Sequence, residues 1–155
     1  MVKHLKSWVF VLRGKMKTYK DIDKTILKSL PNPSNEAYEM KIHSPEFTFL
    51  GEDEQPDFGR VYITFYPKDK IIELKSLKKY FYDYRNTKIS YERLINIIYD
   101  HLVEKYEPAR LRLVIEFFPR GGISSRLVVD SDWSVRGGKE EFYKEDTDWA
   151  FSTKL

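Results

Sequence analysis

The sequence predicts one α+β domain in which an antiparallel sheet carries both helices on one face. Two pairs of strand-like segments flank two segments with helical periodicity, which gives the order β-β-α-α-β-β. The 155 residues contain no long linker, and 41% hydrophobic with 33% charged residues is ordinary for a globular chain. We therefore expect a single domain over residues 1–155, with a basic N-terminal extension at 1–20 and a tail at 131–155.

The first two strands are predicted on either side of an acidic loop. Residues 37–43 alternate between apolar and polar side chains, as a half-buried strand does, and residues 59–66 are rich in aromatic and β-branched side chains. The acidic loop covers residues 51–57. Before these strands, a Pro-Asn-Pro turn at 31–35 ends an amphipathic stretch at 22–30.

Two helices are predicted next, because the hydrophobic period changes from two residues to a helical repeat. The apolar positions i, i+3, i+4 and i+7 of the first helix are Leu77, Tyr80, Phe81 and Tyr84. Ser90 is placed to cap the second helix, whose buried stripe runs over 94–103 and stops before Glu107-Pro108.

The last two strands are predicted at 111–118 and 125–129, joined by a turn that contains Gly121 and Gly122. A second Arg-Gly-Gly sequence stands at 136–138. Both are interpreted as tight turns whose glycines adopt positive φ.

Charge is concentrated at the N-terminus, where residues 1–30 hold eight Lys or Arg against two Asp, a local charge of +6. Such a segment is either a solvated terminus, which is the commoner case, or a contact to phosphate such as that of tRNA. No run of 18 apolar residues is present, so no membrane span is expected and a cytoplasmic location is the default.

The composition excludes several kinds of chemistry. The chain has no cysteine, which rules out disulfides, thiolate metal sites and a cysteine nucleophile. The histidines at 4, 43 and 101 lack the spacing of metal ligands, and we expect no metal site. Neither a Gly-x-Ser-x-Gly elbow nor a glycine-rich phosphate loop is present.

The segment 72–80 is the strongest chemical signal. Glu73 stands at a strand end, and Lys75 and Lys78 are neighbours in the first turn of the helix that follows. Two lysines beside a helix N-terminus suit a multiply charged phosphate. The alternative is a solvated basic face, which is the ordinary role of surface lysines.

This segment resembles a motif of the QueF family, the NADPH-dependent 7-cyano-7-deazaguanine reductases of queuosine biosynthesis in tRNA. The matching residues 73–80 read Glu-Leu-Lys-Ser-Leu-Lys-Lys-Tyr. Three further motifs follow the family in the right order, at 44–50 (Ser-Pro-Glu-Phe-Thr-Phe-Leu), 55–58 (Gln-Pro-Asp-Phe) and 118–124 (Phe-Pro-Arg-Gly-Gly-Ile-Ser). The resemblance covers residues 22–125 and implies the tunnel fold (T-fold) of that family.

The resemblance also implies roles for individual residues. In the family a cysteine thiolate adds to the nitrile carbon, NADPH reduces the resulting thioimide to an aminomethyl group, and an aspartate acts as general acid. By position, Asp57 corresponds to that aspartate, and a carboxylate such as Glu92 can accept two adjacent N–H groups of a guanine-type base. The implied substrate contacts are Glu92, Tyr91 and Glu73, and the implied cofactor contacts are Lys75, Ser76, Lys78, Arg120 and Gly121.

Two positions depart from the family pattern. Gly51 stands where the family has its cysteine, and a glycine cannot form a thioimide. Tyr91 stands where the family has a histidine, which removes a group that titrates near neutral pH. Gly51 is either an introduced substitution or the mark of a divergent member.

Three functional hypotheses therefore remain open. The first is a nitrile reductase in which Gly51 is an introduced substitution or the missing cysteine is bypassed by a variant mechanism. The second is a non-reducing relative that binds a deazapurine or takes part in tRNA modification, and the third gives the basic N-terminus a tRNA contact. The resemblance further implies a homo-oligomer with active sites between subunits.

Overall fold

The structure is a computed structural model that describes residues 16–132. The two helices are α1 (Leu74–Tyr82) and α2 (Tyr91–Tyr106). The strands are β1 (Lys17–Thr18), β2 (Ser29–Pro31), β3 (Met40–Leu50), β4 (Pro56–Tyr66), β5 (Lys70–Ile72), β6 (Thr87–Lys88), β7 (Arg110–Arg120) and β8 (Ile123–Asp130). Two short 3₁₀ turns at Tyr19–Asp21 and Lys24–Ile26 precede β2. The expected basic extension up to residue 15, most of the tail and the glycines at 137 and 138 lie outside the described residues.

The main sheet has the strand order β1-β6-β3-β4-β7-β8. The four long strands β3, β4, β7 and β8 are antiparallel neighbours, and β6 and β1 extend the sheet in parallel at the β3 edge. A separate antiparallel ribbon joins β2 to β5. The predicted α+β class and the order β-β-α-α-β-β of the long elements are confirmed.

Both helices pack on one face of the sheet, as the periodicity predicts. Tyr80 of α1 and Ile98 of α2 belong to the same buried cluster as Phe47 and Ile63 of the sheet. Burying an aliphatic or aromatic side chain of this size contributes about 1.5–3 kcal/mol. The amphipathic faces of the helices therefore account for their position.

Local signals define the helix ends. The Glu73 carboxylate caps α1 by accepting the Ser76 N–H at 2.9 Å, and the Ser90 hydroxyl caps α2 by accepting the Arg93 N–H at 3.4 Å. After α2, Glu107 takes a left-handed conformation with φ of 45°, and Pro108 follows. The predicted cap at Ser90 and the predicted end before Glu107 are both confirmed.

The hairpin between β7 and β8 has a two-residue turn, because Arg120 pairs with Ile123. Gly121 and Gly122 have φ of 58° and 79°, which suits a turn of the primed type. The expectation of positive φ at these two glycines is confirmed.

The strand bounds differ from the prediction at β3. This strand begins at Met40, later than expected, and continues to Leu50. Its register with β4 shifts between Ser44 and Phe47, and Pro45, which has no N–H to donate, lies inside that bulge. In the part of the chain that is described, neither helix has the length and apolar character needed to cross a membrane.

Candidate functional site

A pocket forms where the end of β3, the start of β4, the start of α2 and the β7–β8 turn meet. Its volume is about 340 Å³. Its lining residues are Gly51, Glu52, Asp53, Asp57, Ile89, Ser90, Tyr91, Glu92 and Arg120. Five of the residues predicted from the sequence therefore lie together in what we call the Gly51 pocket: Gly51, Asp57, Tyr91, Glu92 and Arg120.

Gly51 follows directly on β3 and opens a tight turn. Its N–H donates to the Gln55 carbonyl at 2.9 Å, and its own carbonyl accepts the Glu54 N–H at 2.8 Å. A Cβ atom at position 51 would lie 3.5 Å from Asp57 Oδ2. A side chain at this position would thus lie beside the carboxylate that the resemblance makes the general acid.

Asp57 is a buried carboxylate with three donors. Its side chain accepts the Tyr91 hydroxyl at 2.6 Å and the Phe58 N–H at 3.0 Å, and Arg120 Nη1 lies 3.5 Å away. Only 3% of Asp57 is exposed. A buried carboxylate needs such partners, and these fix its orientation toward position 51.

Tyr91 is held by aromatic packing as well as by this hydrogen bond. Its ring stacks on Phe117 with centroids 3.9 Å apart and meets Phe49 edge-on at 5.7 Å. Burial and the hydrogen bond to Asp57 raise the pKa of Tyr91 to about 12. The hydroxyl is therefore protonated at neutral pH and donates to Asp57.

Arg120 closes the pocket from the β7–β8 turn. Its guanidinium forms a two-point ion pair with Asp53 and also contacts Asp57. The hydrogen bond from Arg120 lowers the pKa of Asp53. Gly121, which the resemblance places at the cofactor, follows Arg120 in the turn, and a Cβ there would meet nothing within 4 Å.

Glu92 lies on the rim of the Gly51 pocket, in the first turn of α2. Its side chain is exposed. The turn is fixed by the Ser90 cap and by Asn96, whose amide donates to the Glu92 backbone carbonyl at 2.7 Å. Glu92 thus lines the same pocket as Asp57, from the first turn of α2.

The lysine motif lies elsewhere on the chain, at the start of α1. Lys75 and Lys78 are exposed, whereas Ser76 is 3% exposed. The Ser76 hydroxyl accepts the Lys28 N–H at 2.9 Å and donates to the Glu73 carbonyl at 2.8 Å. Ser76 thus joins α1 to the segment before β2, and its hydroxyl is not presented at the surface.

Glu73 takes part in the same local structure at the start of α1. Its carboxylate caps α1 through the Ser76 N–H, and this hydrogen bonding lowers the pKa of Glu73. The structure does not bring Glu73, Lys75, Ser76 or Lys78 into the Gly51 pocket, and none of them is among that pocket's lining residues.

The sequence did not identify Asp53 as a site residue, although it stands in the predicted acidic loop. Its role depends on Arg120, 67 residues later in the chain. No signal in the sequence pairs the two, because the contact arises only when the β7–β8 turn reaches the Gly51 turn. Within residues 16–132, no group of three or more His, Asp or Glu side chains is arranged to hold a metal ion.

The architecture defines the class of protein. The structure matches a crystal structure entitled "archaeosine synthase QueF-Like in the apo form" with a TM-score of 0.55, at 16% sequence identity, over 63% of this chain and 95% of that one. This chain thus shares its α+β fold with a tunnel-fold protein, and the predicted fold is confirmed.

The family follows from sequence comparison. Residues 56–136 match the family model described as "QueF-like protein". The chain is similar to proteins named NADPH-dependent 7-cyano-7-deazaguanine reductase. One from Chlorobaculum parvum is 40% identical over 110 residues, 70% of this chain and 95% of the relative. Another from Nitratiruptor sp. is 37% identical over 107 residues, 68% of this chain and 82% of the relative. The chain belongs to the QueF-like family.

Proposed function

We propose that this protein acts on 7-cyano-7-deazaguanine as an NADPH-dependent reductase, without a covalent bond between substrate and protein. Family membership supports the substrate and the cofactor. The observation that carries the proposal is the buried Asp57 carboxylate in a pocket that also contains Glu92. Its Oδ2 atom would lie 3.5 Å from a Cβ atom at position 51.

In this proposal Glu92 binds the purine edge. A guanine-type base presents adjacent N–H donors, and one carboxylate can accept two of them. Asp57, in its acid form, then faces the group at C7 of the base and donates a proton to the nitrile nitrogen, and it takes up another proton from solvent before the second reduction step. Tyr91 acts on Asp57 by holding its carboxylate in place through the 2.6 Å hydrogen bond.

Lys75 and Lys78 are the residues proposed to hold NADPH, which supplies hydride when bound. Two exposed ammonium groups at the start of a capped helix fit the phosphates of a dinucleotide, because the helix dipole adds to their charge. Arg120, which lines the Gly51 pocket, and Gly121, which follows it in the β7–β8 turn, would contact the same cofactor where it reaches the substrate. The proposal includes the cytoplasm as its location, where NADPH is the common reductant.

Gly51 supports a second candidate function, in which the pocket binds the deazapurine without reducing it. A residue without a side chain supplies no nucleophile, so this chain cannot activate the nitrile as a thioimide. The binding groups Glu92 and Asp57 would be retained in this case. A direct assay separates the two candidates.

The experiment combines the purified protein with 7-cyano-7-deazaguanine and NADPH, follows NADPH absorbance, and identifies the product by mass spectrometry. Oxidation of two NADPH per aminomethyl product supports the reductase. Calorimetric binding of the nitrile base with no oxidation above background establishes the second candidate. Failure to bind the base overturns both.

Matched variants locate the substrate site. Glu92→Gln removes the charge that would accept the purine N–H groups, and we expect at least a tenfold loss of affinity for the base. Glu36→Gln makes the same change at an exposed position outside the Gly51 pocket and is the control. Equal affinities in the two variants would exclude Glu92 from substrate recognition.

A further inference from the structure

A second cavity, of about 360 Å³, runs between α1 and the bulged part of β3. One exposed stripe of α1 forms its outer wall, because Leu74, Lys78 and Tyr82 recur at intervals of four residues. Arg85 continues this wall three residues further on. In the described part of the chain, this cavity, which we call the α1–β3 groove, shares no lining residue with the Gly51 pocket.

The groove carries two cations at its rim. Lys78 belongs to the lysine motif, and Arg85 follows the helix. The Arg85 guanidinium lies over the Tyr82 ring, 4.0 Å from its centroid. Stacking of this kind fixes the plane of the guanidinium and leaves its N–H fork free to bind two oxygens of one anion. Glu46 is the acidic residue of the lining, so the cations outnumber it.

Most of the remaining lining is apolar, although His43, Ser44 and Thr48 add polar groups from β3. Leu77 and Phe81 line it from α1, and Phe47 lines it from β3. Leu74 is 57% exposed and Tyr82 is 49% exposed, although both are large apolar side chains. A cavity that combines apolar side chains with a cationic rim has the chemistry that binds a nucleoside together with its phosphate.

We propose that the α1–β3 groove binds the phosphorylated adenosine end of NADPH, and that Arg85 recognises the 2′-phosphate. The inference rests on the proposed function and deepens it by naming the residue that distinguishes NADPH from NADH. A terminal phosphate has three free oxygens and matches the guanidinium fork in two-point contact, whereas NADH offers only a hydroxyl there. Lys78 stands between Arg85 and Lys75 and joins the groove to the lysine motif.

The test measures the affinity of the full chain for NADPH, NADH and adenosine 2′,5′-bisphosphate by calorimetry. We compare the unchanged protein with Arg85→Ala, Arg85→Lys and Lys79→Ala. Lys79 is exposed on the same helix but outside the groove lining, so its variant is the control for loss of one positive charge. Arg85 is exposed as well, and circular dichroism confirms that each variant is folded.

We expect Arg85→Ala to weaken NADPH and the bisphosphate about tenfold or more, and NADH less than twofold. Arg85→Lys should recover only part of this loss, because an ammonium group does not bind two oxygens in one plane. If Arg85→Ala behaves like Lys79→Ala, the inference is wrong while the proposed function stands. If the unchanged protein binds neither NADPH nor the bisphosphate, both are wrong.

Discussion

A Cβ atom at position 51 would lie 3.1 Å from Asp53 Oδ1 and 3.2 Å from Arg120 Nη1, which is tight but not prohibitive. Both neighbours are the ends of flexible side chains, and their ion pair is exposed enough to shift. The Asp53–Arg120 ion pair therefore borders the space that a side chain at position 51 would fill. A residue with a short side chain can be placed there without moving the backbone.

We predict that Gly51→Cys folds and acquires covalent chemistry. The thiol would add across the nitrile, forming a C–S bond and passing its proton to the nitrogen, so the protein gains the full mass of 7-cyano-7-deazaguanine. Intact-protein mass spectrometry measures the adduct. Gly51→Ser is the control, because an unactivated hydroxyl is a much weaker nucleophile. Absence of an adduct in the cysteine variant, with the base bound, would show that the pocket does not direct the nitrile at position 51.

The hydrogen bond between Tyr91 and Asp57 leads to a second prediction at this scale. Tyr91→Phe leaves a buried carboxylate with one donor fewer, and we expect the free energy of unfolding to fall by about 1–3 kcal/mol. Urea unfolding measures it, with Tyr82→Phe as the control at an exposed ring. Equal stability of the two variants would mean that the hydrogen bond contributes nothing.

At the scale of elements, the two helices are joined by a chain of polar side chains, in which Tyr80 and Tyr84 are buried and His101 is half-buried. The Tyr80 hydroxyl of α1 lies 2.7 Å from the Tyr84 hydroxyl and 2.7 Å from Nδ1 of His101 on α2. Burial raises the pKa of Tyr80 and Tyr84, so both hydroxyls remain protonated. Burial, assisted by the charge of Lys24, lowers the pKa of His101 from its ordinary 6.5, although Glu104 and Asp100 oppose this.

The lowered pKa of His101 predicts a loss of stability in acid. Below pH 6.5 the unfolded chain binds a proton at His101 more readily than the folded protein does, so the free energy of unfolding falls as the pH falls. We expect His101→Gln to lose less stability than the unchanged protein between pH 7.5 and pH 5.5, measured by urea unfolding. His43, whose pKa is also lowered by burial, is present in both proteins and cancels. Parallel pH profiles would contradict the prediction.

The long elements could be predicted because their side-chain period reports which face is buried. Tyr80 and Tyr84 at helical spacing are fully buried, and Ser90 caps α2 where the sequence placed the cap. The short pairs β1–β6 and β2–β5 were missed, because each depends on a partner that is distant in sequence. The β3 bulge was missed for the same reason, since register exists only between two strands.

The residues of the candidate site also include some that could be predicted from the sequence and some that could not. The family resemblance implied site roles for Asp57, Tyr91 and Glu92, and in the structure the strand ends and the start of α2 that carry them converge on one pocket. The burial of Ser76 was not foreseen, since its partner is the backbone of Lys28. The family resemblance implied that distant residues such as Asp57 and Glu92 act together, whereas contacts outside its motifs, such as Asp53 with Arg120, could not be predicted from the sequence.

At the scale of the whole molecule, exposed apolar side chains lie at the same end of the sheet as the Gly51 pocket, where β4 and β8 begin and β7 ends. Phe58 follows Asp57 in the chain and contacts Phe118, with ring centroids 6.4 Å apart, and Arg60 lies over the Phe118 ring. Ile123, at the β7–β8 turn, is 76% exposed. Exposed apolar clusters of this kind commonly form protein–protein interfaces. The family resemblance points to the same conclusion, a homo-oligomer with sites between subunits.

We predict that the protein in solution has a mass that is a multiple of 18.6 kDa and that Phe58, Phe118 and Ile123 lie in the interface. A charge among apolar contacts is costly to bury, so Ile123→Glu should shift the assembly toward the single chain. Leu30→Glu is the control, because Leu30 is also exposed but belongs to the β2–β5 ribbon. Multi-angle light scattering over a concentration series measures the mass. A constant 18.6 kDa for the unchanged protein would refute the assembly, and equal masses for the two variants would place the interface elsewhere. Because the Gly51 pocket and the α1–β3 groove share no lining residue on one chain, such an assembly would allow a base in the Gly51 pocket of one subunit to meet NADPH held in the α1–β3 groove of the next.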